Sequence, residues 1–229
     1  VDASGVATAV GRASPGFPTT PGAFSTDFSE GFVARMDPQG RRLLYSTHFG
    51  GYGENIHQVD LTPSRRVAFC ALSEGGWPVT EGSWDTTFNG GQSDGAVAVL
   101  DLVLQGVLEV GTSVPACRGP IAAGVTEMPA VTADDFAVYA SGAPPEALGF
   151  LMIGEPGEMQ IHGLTLYLQK PWMRQAVWTD LDGWAEVELE LPPGSQGLTF
   201  ACQYVFLNPT GCPGEGPYST SNALWVTVQ

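Results

Sequence analysis

Apolar residues along this chain come in runs of four to eight, broken by Gly, Pro, Asn and Asp, and never in long helical stripes. No window keeps a 3.6-residue apolar period for three turns without Gly or Pro intervening, so the pattern predicts strands and turns rather than helices. Val6–Arg12 and Val67–Leu72 are short, nearly continuous apolar runs and read as inner strands buried on both sides. Gly31–Asp37 reads as a strand closed by Asp37-Pro38-Gln39-Gly40, where Pro suits position i+1 and Gly position i+3 of a type I turn. Leu43–Phe49 then completes a hairpin, and Gly50-Gly51-Tyr52-Gly53 turns the chain onward. Beyond residue 110 the expected strands are Phe136–Ser141, Leu148–Ile153, Leu164–Leu168, Gln175–Thr179, Ala185–Leu191, Leu198–Leu207 and Ala223–Val228. In Trp184–Leu191, Glu186, Glu188 and Glu190 alternate with Val187, Leu189 and Leu191, as a sheet with one wet face requires.

The first 110 residues contain a repeat. Val1-Asp2 opens one copy and Val59-Asp60 the next. The run Phe17-Pro18-Thr19-Thr20-Pro21-Gly22-Ala23-Phe24 matches Trp77-Pro78-Val79-Thr80-Glu81-Gly82-Ser83-Trp84, and Gly31–Asp37 matches Gly95–Asp101. The offset between copies grows from 58 to 60 to 64 residues, which places small insertions in loops. In the second copy Leu102–Gln105 stands where the first has its Asp-Pro-Gln-Gly turn. The motifs VDASG, FPTTPGAF, GFVARMDPQG and LLYSTHFGG, in that order, resemble the seven-bladed β-propeller repeat of large secreted bacterial proteins. The resemblance covers about residues 1–105 and implies four-stranded blades around an axis. Two repeats do not close a propeller, so the open faces call for blades of a longer parent chain, blades of other subunits, or the next domain stacked on the two. Residues 1–105 are accordingly not expected to stand alone.

The second half resembles a C-terminal module of secreted proteins from environmental bacteria. The resemblance rests on Ser141-Gly142-Ala143-Pro144-Pro145, Thr179–Gly183, Gly197-Leu198-Thr199-Phe200 and Thr220-Ser221-Asn222-Ala223-Leu224. Members carry one Cys in an early Gly-rich segment and another before the middle strand. Cys117 fits the first position, and Gly163-Leu164 stands near the second. The expectation is therefore an all-β chain: two propeller-type blades in residues 1–108 (copies about 1–58 and 59–108), then an antiparallel β-sandwich in 109–229, with the boundary near 106–112.

Charge narrows the function classes. With 24 acidic and 9 basic residues, Lys170 being the only lysine, the net charge is −15. This disfavours nucleic acid and anionic membranes, which need Lys/Arg patches. No stretch of about 18 apolar residues occurs, so no membrane span is expected. The chain opens in a turn motif without Met, which reads as a mature or trimmed piece of a longer precursor.

Candidate chemistry is sparse. Asp180-x-Asp182-Gly183 resembles part of a calcium loop, but the twelfth position is Leu191, so a hairpin turn is the better reading. His48, His57 and His162 are scattered and form no metal-binding motif. His48 reads as a surface or satisfied strand residue. No GxSxG is present, and the adjacent Asp134 and Asp135 would point to opposite faces of an extended strand. No cofactor, metal or catalytic group is expected. Trp172, Trp178 and Trp184 lie close in sequence and are candidates for stacking on sugar rings, against the alternative of core packing. Trp77 and Trp84 are expected to pack against the sandwich or a missing blade.

Among the cysteines, Cys70 in Val67–Leu72 is expected to be a buried, unpaired thiol. A hairpin turning at Asn208-Pro209 would bring Cys212 nearer Val205 than Cys202, and a bridge needs Cα atoms within roughly 7 Å. Cys117 and Cys212 both sit in Pro/Gly-rich loops, so the expected disulfide is Cys117–Cys212. The functional expectation is a non-catalytic extracellular or cell-surface structural module that self-associates or belongs to a longer chain. The alternative is a carbohydrate-binding accessory module with a polysaccharide partner.

Overall fold

The structure, a computed structural model, describes residues 1–2, 5–61, 66–102, 104–133, 135–210 and 216–229. Among them there is no helix, every strand pair is antiparallel and no sheet closes into a barrel. No helix is long and apolar enough to cross a membrane. The chain divides into two compact units, Ala7–Val103 and Val1–Val6 with Leu104–Gln229.

The unit Ala7–Val103 holds two three-stranded meanders. The first comprises β1 (Ala7–Arg12), β2 (Gly31–Met36) and β3 (Leu43–Phe49), in that order. The second comprises β4 (Asn55–Leu61), β5 (Arg66–Ser73) and β6 (Asp94–Asp101). The β2–β3 turn forms at Asp37–Gly40. Asp37 Oδ1 accepts from the amides of Arg41 (2.6 Å) and Arg42 (3.1 Å), and Gly40 donates to the Asp37 carbonyl with φ +67°. The sheets meet through aromatic rings: Phe49 lies 4.9 Å from Phe69 and 5.0 Å from Trp77. Val33, Val67, Phe69 and Ile56 are buried at this junction or beside it.

Each meander has three strands among the described residues. One expectation is corrected here: neither apolar run is buried on both sides. β1 is an edge strand, and β5 alternates, with Val67, Phe69, Ala71 and Ser73 buried and Arg66 and Leu72 exposed. An apolar run is buried on both faces only where both faces are covered, and one face of β5 is not.

The second unit contains β7 (Val107–Val110), β8 (Ala122–Val125), β9 (Ala137–Ser141), β10 (Leu148–Ile161), β11 (Leu164–Trp178), β12 (Ala185–Glu188), β13 (Thr199–Leu207), β14 (Tyr218–Thr220) and β15 (Ala223–Thr227). One sheet runs β11-β10-β13-β15-β7, with β14 also on β13, and the other runs β12-β9-β8. Tyr204 on β13 donates its hydroxyl to the Val138 carbonyl on β9 at 2.6 Å, fastening the two sheets through a buried polar bond. Tyr139 stacks on Trp184 at 4.5 Å.

Leu164–Leu168 and Gln175–Trp178, expected in separate strands, belong to one long strand, β11, of 15 residues, which pairs with a β10 of 14. The Gly/Pro-rich segment around Gly154–Gly157 makes register shifts in the hairpin instead of ending it. The distal hairpin carries Leu166 and Leu168 into a small core with Ala201, Met152, Val205 and Trp225. Trp225 Nε1 donates to the Tyr167 carbonyl there, at 2.9 Å.

The Thr179–Gly183 segment is a turn. Asp180 Oδ1 accepts from the amides of Asp182 and Trp184, both at 2.9 Å, and Gly183 donates to the Asp180 carbonyl at 3.1 Å. Gly183 has φ +79°, and a Cβ there would lie 2.1 Å from the Ala143 carbonyl oxygen. Gly183→Ala is therefore expected to destabilise the chain by about 1–3 kcal/mol, from backbone strain plus the clash. Urea denaturation of wild type and variant measures it, and an unchanged midpoint would contradict the turn geometry.

Candidate interaction surface

The sequence repeat is repeated in the pairing register. In the first meander Ala7 faces Met36 and Arg12 faces Gly31; in the second Val67 faces Leu100 and Leu72 faces Gly95. Each residue of β1 thus has its counterpart 60 positions on, and each residue of β2 its counterpart 64 positions on. The connecting loops share a turn as well: Ala23 donates to the Thr20 carbonyl and Ser83 to the Thr80 carbonyl, each at 3.1 Å.

Equivalent positions differ sharply in cover. Val33 is fully buried (0% exposed), whereas its counterpart Val97 is 76% exposed and Val99, counterpart of the buried Arg35, is 60% exposed. The face of the first meander holding Gly31, Val33 and Phe49 is covered by the second. A Cβ on Gly31 would meet Ile56 Cδ1 at 3.2 Å. The matching face of the second meander, with Ala68, Cys70, Leu72, Val97 and Val99, lies open to half-open.

The connecting loops differ for the same reason. In the first copy the loop is bonded along the outer edge of β3. Thr20 donates to the Ser46 carbonyl (3.0 Å), His48 to the Ser25 carbonyl (3.1 Å), Ser25 to Thr47 Oγ1 (2.9 Å) and Phe24 to Tyr45 Oη (3.2 Å). Phe24 stacks on Phe49 at 5.2 Å. In the second copy the loop's hydrogen bonds are local, such as Thr87 and Asn89 to Asp85, and Asn89 to Asp94. Trp84, counterpart of Phe24, is 100% exposed. The strand it would lean on, the counterpart of β3, is not in this sheet: among the described residues β6 pairs with β5 alone.

Beside the surface lies a charged junction. Glu30 accepts from Arg12 Nη2 and from the Gly53 amide, both at 2.7 Å, and these bonds hold its carboxyl below the usual range. Glu54 is fully buried. Its Oε1 accepts from Ser73 Oγ (2.9 Å) and the Gly76 amide (3.2 Å), while Oε2 has no partner. Burial pushes the Glu54 carboxyl up, against the hydrogen bonds that lower it.

The sequence candidates fall elsewhere. Trp172 and Trp178 are exposed on β11, and Arg174 between them stands 5.3 Å from the Phe150 ring centre. Trp184 is buried against Tyr139, so the three tryptophans form no common platform. Trp77 packs between the two meanders, on Phe49 and Phe69. His48 is buried between Phe17 and Phe28, with Nδ1 unbonded, rather than exposed or satisfied. His57 lies on β4, and His162 sits in the β10–β11 turn at φ +48°. Among the described residues no three His, Cys, Asp or Glu side chains are grouped to hold a metal.

Cys70 is a free thiol but only half-buried, because it lies on the uncovered face of β5; its Sγ is 3.7 Å from Gln58 Oε1. Cys202 is free and buried, and desolvation pushes its thiol up to about 12. Cys117 is disulfide-bonded. Cys212 and Asp134 lie outside the described residues.

Sequence reasoning missed Glu54 and the open edge of β6. The signal for the edge was present: Leu102–Gln105 in place of the Asp-Pro-Gln-Gly turn removes the device that folds β3 back onto β2. Comparisons with family models, curated proteins and solved structures give no match.

Two predictions follow from these groups. The folded state holds the Glu54 proton above the ordinary value of 4.5, where the unfolded chain has released it, so this group lowers stability as pH rises through its raised folded value. Glu54→Gln keeps an acceptor for Ser73 and Gly76, and should remove that fall. Urea midpoints across the acidic-to-neutral range read the wild-type-minus-variant difference, and a difference flat with pH would refute the assignment.

Alkylation of the native, unreduced chain should label Cys70 and spare Cys202 until denaturant is added. Peptide mapping of the same sample is expected to recover Cys117 joined to Cys212. Recovery of a Cys202–Cys212 peptide would overturn that pairing.

Proposed function

We propose that this chain is a non-catalytic structural module of an extracellular or cell-surface assembly. Its repeats are part of a propeller-type array, and its second unit is a β-sandwich. The observation that carries the reading is the contrast between Val33 and Val97. The repeat builds a face that its first copy buries under the next copy and its second copy leaves open. Burying a valine is worth about 1.5–3 kcal/mol, so a surface holding Val97, Val99 and Leu72 favours association. A net charge of −15 keeps such a module soluble and repels like copies, so association through this face has to outweigh that repulsion.

The reading is tested by mass in solution. Sedimentation velocity is expected to show concentration-dependent self-association, which the double substitution Val97→Glu and Val99→Glu abolishes without altering thermal unfolding of the monomer. A chain that stays monomeric at all concentrations, with the double variant indistinguishable from it, would count against assembly through this face.

A second reading, a carbohydrate-binding accessory module, draws on one observation. Trp172 and Trp178 are exposed on β11, the outermost strand of its sheet. Quenching of tryptophan fluorescence by a polysaccharide, lost in Trp172→Ala and Trp178→Ala, would favour it.

A further inference from the structure

We propose that the free edge of β6 is an acceptor for one added β-strand of β3's kind, supplied by a further repeat. The inference rests on the assembly reading above and specifies how the joint is made.

The argument begins from what the first copy does with its third strand. β3 pairs with β2 from Gly31 opposite Phe49 to Arg35 opposite Tyr45. In doing so it supplies three things: a ladder partner for β2, a hydrogen-bonding edge for the loop at Thr20 and Ser25, and the Phe49 ring under Phe24. In the second copy all three recipients are present and none is served. The β6 edge has no neighbouring strand among the described residues, the loop around Thr80–Asn89 bonds to itself, and Trp84 is wholly exposed. An unpaired edge beside an uncovered aromatic ring is a template for strand addition.

The chain's own next strand is committed elsewhere. The residues 64 positions beyond β3 begin at Val107, and Val107–Val110 is β7, which pairs with β15 from Val107 opposite Val226 to Val110 opposite Ala223. The incoming strand must therefore come from a further repeat. The shared register fixes how it would lie. A strand with the sequence of β3 would put its phenylalanine opposite Gly95, its threonine opposite Val97 and its tyrosine opposite Val99. Its phenylalanine ring would then meet Trp84 as Phe49 meets Phe24. Gly95 admits that ring end as Gly31 admits Phe49, since neither presents a side chain at the pairing position.

The test is a synthetic peptide with the sequence Arg41–Gly50, added to the full chain. Calorimetric titration is expected to show saturable binding, and hydrogen exchange to show new protection at the amides of β6. The same peptide with Thr47→Pro should not bind, because residue 47 turns its amide toward β2 whereas Ser46 and His48 bond outward to the loop. Trp84→Ala in the chain should weaken binding by about three- to tenfold, the worth of one aromatic pair, while leaving its thermal unfolding unchanged.

Absence of binding by the unmodified peptide would overturn the proposal, as would equal binding by the proline peptide. So would protection on β11 rather than β6. Self-association that persists at saturating peptide, with no protection of β6, would assign the surface to face-to-face contact with a second copy. That would leave the assembly reading standing and the strand-acceptor reading refuted.

Discussion

The ring contacts of Phe49 with Phe69 and Trp77 are the interaction on which residues 7–103 depend. A three-stranded meander has two faces and little core of its own, and it becomes stable by laying one face on a neighbour. Among the described residues of this unit there is one such junction. Phe49 comes from the end of β3, Phe69 from the middle of β5, and Trp77 from the loop leaving β5, so the end of one meander is fixed to a strand and loop of the other. The burial of Val33, Val67 and Ile56 follows from that contact. The exposure of Val97 follows from the lack of a second junction of the same form.

The junction needs two backbones close together, and that requirement accounts for the polar groups beside it. A Cβ on Gly51 would sit 2.9 Å from Gly76 Cα, and one on Gly76 only 2.7 Å from Gly51 Cα. Glycine at both positions is therefore a packing condition. The Gly76 amide freed by this approach is taken by Glu54 Oε1, which Ser73 also bonds. A buried carboxylate with one unpartnered oxygen is a costly way to satisfy an amide. It is tolerated because a side chain that reaches from the start of β4 to the end of β5 ties the leading strand to the turn that positions Trp77.

Strands were legible in the sequence where turn chemistry and alternation agreed. The Asp37–Gly40 hairpin, the Asp180–Gly183 turn and the strand at Ala185 rest on local rules that nothing tertiary opposes. The long β10–β11 hairpin was not legible. Gly154, Pro156 and Gly157 are turn residues by composition, and only cross-strand pairing decides that they form register shifts instead. Burial on both sides of β5 was misread for a related reason. An apolar run reports the capacity to be covered, and whether a neighbour is present is a property of the surrounding fold, not of the run. Trp184 and Trp172 are twelve residues apart in a cluster of like residues, yet one is core and the other exposed. Trp172 lies on β11, whereas Trp184 directly precedes β12 of the other sheet.

The fate of β7 shows how a repeat can end without a dedicated cap. At the position of Tyr45 the second copy has Glu109, and at the position of Phe49 it has Ser113. A strand so altered offers no ring for Trp84 and no hydroxyl for the loop's backbone, while Val107, Leu108 and Val110 still provide apolar side chains for another sheet. There Trp225 faces Leu108 and Val226 faces Val107, pairs of a kind that stabilise an antiparallel ladder. The Leu104–Val107 turn, with Gly106 at φ +84°, replaces the hairpin that would have folded the strand back. The segment at β3's repeat position thus pairs in the sheet of the second unit. The edge left behind keeps the register, the glycine and the aromatic ring of a pairing site, because those features belong to the repeat and not to the strand that departed.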